Sequence, residues 1–155
     1  MDNVLVVYFS ASGVTRKVAD RLARTIRADQ YEIEPVNKYT GVDLDWHDKR
    51  SRTTIEMEDK TARPEMKEKH IGLEKYDTII LGFPVWWYTA PRIINTFIES
   101  NNLEGKKVYV FVTSGGSGSE GSFKDLKETY PNINFISSRR LRGTETEDDY
   151  KEWIK

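Results

Sequence analysis

Cysteine is absent from the 155 residues of the chain. Its absence excludes disulfide bonds and thiolate metal sites within the sequence, and it agrees with a reducing compartment. Long hydrophobic runs are absent too, because no apolar stretch approaches the roughly 20 residues that a membrane-spanning helix needs. The first residues, Met1-Asp2-Asn3, have neither the basic start nor the cleavage site of a signal peptide. We therefore expect a cytoplasmic protein without a membrane span.

A charge excess of either sign is also missing. The chain has 24 Lys and Arg residues against 25 Asp and Glu residues, for a formal net charge of -1. This balance gives no support for nucleic-acid binding or for attraction to an anionic membrane surface. The two histidines, His47 and His70, lie far apart without partners at ligand spacing, so we expect no metal site. The length suits one domain that spans residues 1–155.

The N-terminal stretch carries the clearest pattern in the sequence. Residues 4–9 form a continuous apolar run, which is typical of a parallel strand covered on both faces. The run stops at small and hydroxylated residues, 10–15, which we call the first loop. A helical pattern follows, with apolar residues recurring every fourth position at Val14, Val18, Leu22 and Ile26. This order favours an anion site, because the N–H groups and the dipole at a helix N-terminus attract negative charge.

The first loop lacks the features of the common nucleotide-binding loops. It contains neither GxxxxGK[ST] nor GxGxxG, and no Arg or Lys lies inside the hydroxyl-rich turn before Arg16. Neutral donors alone suit a dianionic monophosphate, with the hydroxyls of Ser10, Ser12 and Thr15 adding to the backbone amides. The alternative is a helix N-cap that binds no ligand, since Ser and Thr are common caps.

A second unusual segment is the aromatic loop, residues 84–91, which follows a predicted buried strand at 77–83. It contains Trp86, Trp87 and Tyr88 in succession. Each such ring buries about 150–250 Å² when it packs, so a partner is expected. A planar ring system fits by offset stacking. A contact surface for another protein and ordinary core packing are the alternatives.

A third segment is the glycine loop, residues 113–121, with the sequence TSGGSGSEG after a predicted strand at 108–112. It has almost no side chains, so its backbone can approach the edge of a flat ring and offer N–H groups. The alternative is a flexible linker or a glycine-rich turn.

The rest of the chain predicts strands alternating with helices, which indicates a parallel sheet with right-handed crossovers. Pro35 places a predicted strand at 31–36 on the sheet edge, where a missing N–H donor is tolerated. A long charged connection, residues 37–73, is expected to hold a helix at 63–71 and a less certain helical turn at 51–59. Trp46 in this connection is interpreted as a cap on the edge of the core, with ligand contact as the alternative.

The C-terminal part predicts a helix at 122–130, a last strand at 133–136 and a final helix. A capping box from Thr144 to Glu147 is expected to open that final helix. The basic cluster at residues 139–142 is interpreted as a solvated surface.

Residues 6–22, VVYFSASGVTRKVADRL, resemble the flavodoxin signature at each of its fixed positions. The aromatic and glycine loops, with the turn at 141–143, extend the similarity to most of the chain and resemble a bacterial FMN-binding subfamily with a Trp-Trp loop. The resemblance implies an α/β fold with a doubly wound, five-stranded parallel sheet of order 2-1-3-4-5 between two helical layers, an order for which flavodoxin is the standard example.

The resemblance also implies FMN as the cofactor. The residues implied to bind its 5′-phosphate are those of the first loop: Ser10, Ser12, Gly13, Val14 through its N–H, and Thr15. The residues implied to contact its ring come from the other two loops: Pro84, Val85, Trp86, Trp87, Tyr88, Thr113, Ser114, Gly115, Gly116 and Ser117.

The chain departs from the small electron-carrier flavodoxins in three ways. It has no strong negative charge, its aromatic loop carries Trp-Trp-Tyr where those proteins often carry a glycine, and its glycine loop has no aromatic residue to stack on the ring. The missing stacking residue implies a flavin face that is open, or that is covered by Trp46 or by another chain.

Three functions follow from the resemblance. The first is an electron carrier in which FMN passes electrons between redox partner proteins. The second is an FMN-dependent NAD(P)H oxidoreductase that reduces a quinone or a similar small acceptor. The third is a flavin-binding module without turnover. In each case the flavin carries the redox chemistry and the protein orients it. The oligomeric state is not predicted.

Overall fold

A five-stranded sheet forms the centre of the computed structural model, which describes residues 3–154. All neighbouring strands are parallel, and their order is β2-β1-β3-β4-β5. The predicted α/β fold and the order 2-1-3-4-5 are therefore confirmed. The strands are β1 (Val4–Tyr8), β2 (Asp29–Glu32), β3 (Thr78–Pro84), β4 (Lys107–Thr113) and β5 (Asn134–Arg140).

Five helices cover the two faces of this sheet, so that its central strands are buried on both sides. They are α1 (Val14–Ile26), α2 (Arg52–Glu58), α3 (Arg92–Ser100), α4 (Glu120–Thr129) and α5 (Glu147–Trp153). Side chains of β1 alternate between two buried clusters: Val4, Val6 and Tyr8 pack with α1 and α5, while Leu5 and Val7 pack with α3 and α4. This alternation explains why β1 reads as an unbroken apolar run.

Helix α1 begins one residue after Gly13 and buries most of its predicted apolar stripe. Val18, Leu22 and Ile26 are buried, but Val14 is 57% exposed. The apolar pattern of the sequence therefore continues one residue beyond the buried stripe, at Val14. It is the first residue of the helix, and it belongs to the rim formed by the first loop.

The connection between β2 and β3 differs in part from the prediction. The helical turn expected at 51–59 is confirmed as α2, whose N-cap Ser51 accepts a hydrogen bond from the N–H of Thr54. The helix expected at 63–71 does not form: this stretch has no regular helix, and Met66 pairs with Pro35 in an antiparallel bridge. β2 lies at the sheet edge as expected, but it occupies 29–32 instead of 31–36. Backbone pairing between two distant segments thus replaced a helix that local pattern alone suggested.

The C-terminal part also required corrections. β5 continues to Arg140 because its polar residues pair along β4, so the predicted end at 136 was four residues short. The capping box joins Thr146 and Asp149, not Thr144 and Glu147. Arg140 is not part of a solvated surface, since its Nε atom is buried. Among residues 3–154, no helix has the length and hydropathy to cross a bilayer.

Candidate functional site

Loops from three neighbouring strands meet at the carboxyl edge of the sheet. The first loop follows β1, the aromatic loop follows β3 and the glycine loop follows β4, and these strands are adjacent in the order β1-β3-β4. Parallel sheets place ligands at this edge, at the point where the strand order reverses. A cavity of about 470 Å³ opens here, lined by Ala11, Ser12, Leu44, Trp46, Thr53, Pro84, Val85, Trp86, Trp87, Tyr88 and Ser117.

The first loop turns into α1 with several backbone donors free. Gly13 has a φ of 97°, a left-handed conformation that suits glycine. The Ser10 hydroxyl oxygen accepts from the N–H groups of Gly13, at 3.1 Å, and Arg16, at 3.2 Å, which closes the turn. Within residues 3–154, no acceptor faces the N–H groups of Ala11, Ser12, Val14 and Thr15. Four unpaired donors beside a helix N-terminus fit a bound anion.

Thr15 connects the first loop to the glycine loop. Its side chain is only 2% exposed, and its hydroxyl lies 2.7 Å from the hydroxyl of Thr113 at the end of β4. Thr113 is also buried. The first loop and the glycine loop, which we expected to bind one ligand, are therefore joined by a direct contact.

Trp86 is fixed by an aromatic cluster beneath the cavity. Its ring meets Phe9 edge-on at 5.7 Å and Tyr39 at 5.3 Å between centroids. The guanidinium of Arg52 lies 3.7 Å above the Tyr39 ring, and the Tyr39 hydroxyl donates to Glu56. Burial, and then the hydrogen bond to Glu56, raise the pKa of Tyr39 well above its ordinary value. Trp86 is thus a rigid part of the cavity floor.

Trp87 and Tyr88 lie at the tip of the aromatic loop and face outward. They are 40% and 76% exposed, with φ values of 48° and 64°. Two hydrogen bonds between Trp86 and Thr89 close the tight turn that holds them. A non-glycine residue in the left-handed region is uncommon, and such residues cluster at ligand sites.

The aromatic loop is also held by the start of α4. A Cβ atom added at Gly121 would lie 2.8 Å from the carbonyl oxygen of Tyr88, so only glycine permits this approach. The Ser122 hydroxyl lies 3.5 Å from the same oxygen. The second and third loops therefore contact each other near the cavity.

The connection between β2 and β3 supplies a cavity wall. Leu44 and Thr53 line the cavity, although no sequence pattern marked either residue as part of a site. Trp46 also lines it, and this ring is 66% exposed and stacks on His47 at 3.7 Å. The interpretation of Trp46 as a cap on the core edge was therefore wrong. The sequence feature that could have indicated a cavity wall here was a single tryptophan in an otherwise polar connection.

The glycine loop reaches the cavity through Ser117, while Gly115 and Gly116 are exposed at its tip. The Ser114 hydroxyl donates to the carbonyl of Ser117, and the Ser114 carbonyl accepts from Nη2 of Arg140 at 3.0 Å. These contacts give the loop a defined shape despite its glycine content.

Among the described residues that line the cavity, none has an acidic or basic side chain. An ion pair between Arg16 and Glu32, with a nitrogen–oxygen distance of 2.6 Å, lies beside the first loop but outside the lining. No group of three or more potential metal ligands was found in the described part of the chain. The site is thus an uncharged aromatic cavity next to a set of free backbone donors.

The chain is similar to several known proteins. A family model for flavodoxin matches residues 3–155. A crystal structure of a protein assigned as a flavoprotein, from Bacteroides eggerthii DSM 20697, is 44% identical with a TM-score of 0.95, over 99% of this chain and 96% of that one. A flavoprotein from Lactobacillus acidophilus NCFM, solved in complex with FMN, is 23% identical with a TM-score of 0.78 over 100% of both chains.

A curated relative is more distant. The uncharacterized NAD(P)H oxidoreductase YcaK of Escherichia coli strain K12 is 34% identical over 41 residues, which are 26% of this chain. The match spans 21% of the length of that relative.

Proposed function

The chain belongs to the flavodoxin family, and from that premise we propose that it binds FMN in the cavity and first loop and acts in electron transfer. Bound FMN supplies reversible one- and two-electron chemistry. The protein binds the cofactor, orients its ring and controls access to it.

One observation carries this proposal: four unpaired backbone N–H groups, in the first loop and the first turn of α1, adjoin an aromatic, uncharged cavity. A phosphate monoester attached to a flat ring system has the matching chemistry. We assign its phosphate to Ser10, Ser12, Gly13, Val14 and Thr15. In that assignment the backbone N–H groups and the helix dipole neutralise the dianion without a cationic side chain.

We assign the ring to the space between the aromatic loop and the glycine loop. Pro84, Val85 and the fixed ring of Trp86 provide apolar surface, while the exposed rings of Trp87 and Tyr88 provide contact at the rim. Thr113, Ser114, Gly115, Gly116 and Ser117 offer backbone groups to the polar edge of the ring. Partial exposure of the rim leaves a route for electrons to a redox partner protein.

A second function is favoured by the wall at Trp46. The cavity extends beyond the three loops to Leu44, Trp46 and Thr53, and its lining is uncharged. Such a space suits an uncharged planar acceptor such as a quinone, held over the flavin. The similarity to the Escherichia coli oxidoreductase agrees with this function, although it spans 21% of that protein. A flavin-binding module without turnover is the remaining alternative, and a cytoplasmic location stays a prediction.

The test uses a charge introduced into the first loop. Ser12 is exposed, so S12D can place a carboxylate beside the phosphate seat without disturbing the core. A carboxylate about 5 Å from a dianion, at an effective dielectric constant of about 40, adds about 3 kcal/mol of repulsion and weakens binding roughly 100-fold. The measurement is FMN titration of the apoprotein, followed by flavin and tryptophan fluorescence.

The matched control is N132D, which adds the same charge at an exposed residue in the turn before β5, at the opposite edge of the sheet. It should bind FMN like the unmodified protein, and circular dichroism should be the same for all three. Equal FMN affinity in S12D and N132D would contradict the phosphate assignment. No FMN binding by the unmodified protein would contradict the function itself.

A further inference from the structure

The last two residues of β5 point to opposite faces of the sheet. On one face, Trp153 of α5 donates to Ser137 and Nη1 of Arg139 donates to the Asp149 carbonyl. On the other face, Ser138 bonds to Ser119 and Arg140 reaches the Ser114 carbonyl. Alternation along the strand thus sends one arginine to α5 and the next to the glycine loop.

Arg140 is an unusual arginine because its charge has no partner. Its Nε atom is buried and has no acceptor, and no carboxylate lies within ion-pair distance of it in the part of the chain described, 3–154. Among the described residues, its single hydrogen-bond partner is the Ser114 carbonyl, which accepts from Nη2. A partly buried cation without an anion is costly unless an anion arrives from outside the chain.

The same bond sets the direction of a backbone donor. In a trans peptide the C=O and the following N–H point in opposite directions. Because the Ser114 carbonyl points to Arg140, the Gly115 N–H points away from Arg140. Arg140 therefore orients a donor in the loop that we assigned to the polar edge of the flavin.

We propose that Arg140 is a positioning residue that tunes the flavin: it fixes the glycine loop, and its unpaired charge stabilises reduced FMN relative to oxidised FMN. This inference rests on the proposed function. If FMN were bound, its reduction by two electrons from a donor, with uptake of one proton, would give the uncharged ring a single negative charge on its pyrimidine portion. A nearby cation attracts only the second of these states, so it strengthens binding of the reduced form.

The experiment compares the dissociation constants of oxidised and dithionite-reduced FMN for the full chain and its variants. In R140Q, a polar side chain remains but the charge is lost. We expect oxidised FMN to bind within about threefold of the unmodified protein, and reduced FMN to bind about tenfold more weakly. A tenfold change in that ratio lowers the two-electron midpoint potential by about 30 mV, which redox titration measures independently.

The neighbouring residue provides a matched control. R139Q removes the same charge one residue away, on the opposite face, and should leave the ratio of the two affinities within twofold. R140K keeps the charge and should preserve most of the ratio. If R140Q does not fold by circular dichroism, R140M replaces it with the same expectation.

Each other result overturns the inference. An unchanged ratio in R140Q, with both affinities lowered equally, would make Arg140 purely structural. An equal change in R139Q would show an effect of overall charge, and an R140K ratio matching R140Q would exclude charge as the cause. Failure of the proposed function is distinguishable, because the unmodified protein would then bind neither form of FMN.

Discussion

At the scale of single residues, three consecutive aromatic side chains have different surroundings. Trp86 is packed between Phe9 and Tyr39, whereas Trp87 and Tyr88 occupy left-handed positions at an exposed turn. The sequence predicted an aromatic loop but not which of its rings packs against the core, because three consecutive aromatic residues look alike in a sequence pattern. Trp86 is partly buried because Tyr39 packs against it. Tyr39 belongs to the connection between β2 and β3, whose path cannot be predicted from the local sequence.

This difference predicts contrasting effects on stability. W86A removes a ring from the aromatic cluster and should lower the free energy of unfolding of the apoprotein by about 3 kcal/mol. W87A removes a 40% exposed ring and should cost less than about 1 kcal/mol. Urea unfolding of both variants measures the two values. Similar losses in the two variants would contradict the separation of their roles.

At the scale of elements, the cavity wall depends on the tie between α2 and α3. Arg92, the first residue of α3, is buried and donates to the carbonyls of Glu56 and Met57 near the end of α2. These carbonyls are among the unpaired groups at a helix C-terminus. Because α2 follows the segment with Trp46, this tie holds the wall against the sheet.

R92M should therefore loosen the wall. It leaves two carbonyls near the C-terminal end of α2 without their donor, at a cost of about 1–3 kcal/mol in the free energy of unfolding. Hydrogen exchange should accelerate in residues 37–59 more than in the strands. R24M is the control, since Arg24 forms an exposed ion pair with Asp20 that contributes little. Equal exchange in the two variants would argue against the tie.

Sequence patterns predicted elements well where a helix or strand buries a regular stripe. Helices were expected at the positions of α1, α4 and α5 and buried strands at those of β1, β3 and β4, and α2 was expected as a less certain turn. The helix at 63–71 was wrong because Met66 pairs with Pro35, about 30 positions earlier in the chain. The extent of β5 was missed because Ser137 and Ser138 show no apolar alternation, although they pair along β4. Long-range backbone pairing explains both errors.

At the scale of the whole molecule, the flavodoxin fold explains why three separate loops meet in one place. The order β2-β1-β3-β4-β5 makes the three loop-bearing strands neighbours, so the site could be located once the order was known. The cavity wall supplied by the connection 37–73 could not be located in this way, because that connection follows no general rule of the fold. The assignment of residues 1–155 to a single domain stays a prediction.

The chemistry of the whole cavity also predicts how the holoprotein meets a nicotinamide donor. The lining residues within 3–154 include no cationic side chain that could hold the phosphates of a dinucleotide. We therefore expect that NADPH, mixed anaerobically with the FMN-loaded protein, leaves the flavin absorbance unchanged over many seconds, while dithionite bleaches it. Bleaching at about 10 per second, a typical turnover rate, would instead support the oxidoreductase. Free FMN with NADPH is the control for reaction in solution.

The hydroxyl contact between Thr15 and Thr113 has a consequence for how a ligand is received. It joins the beginning of α1 to the end of β4, so the distance between the anion seat and the loop for the ring edge is set before anything binds. Less order must then be gained on association, which favours affinity through preorganisation. A ligand with a different spacing between its charged group and its ring would bind more weakly, because this distance does not adjust to it.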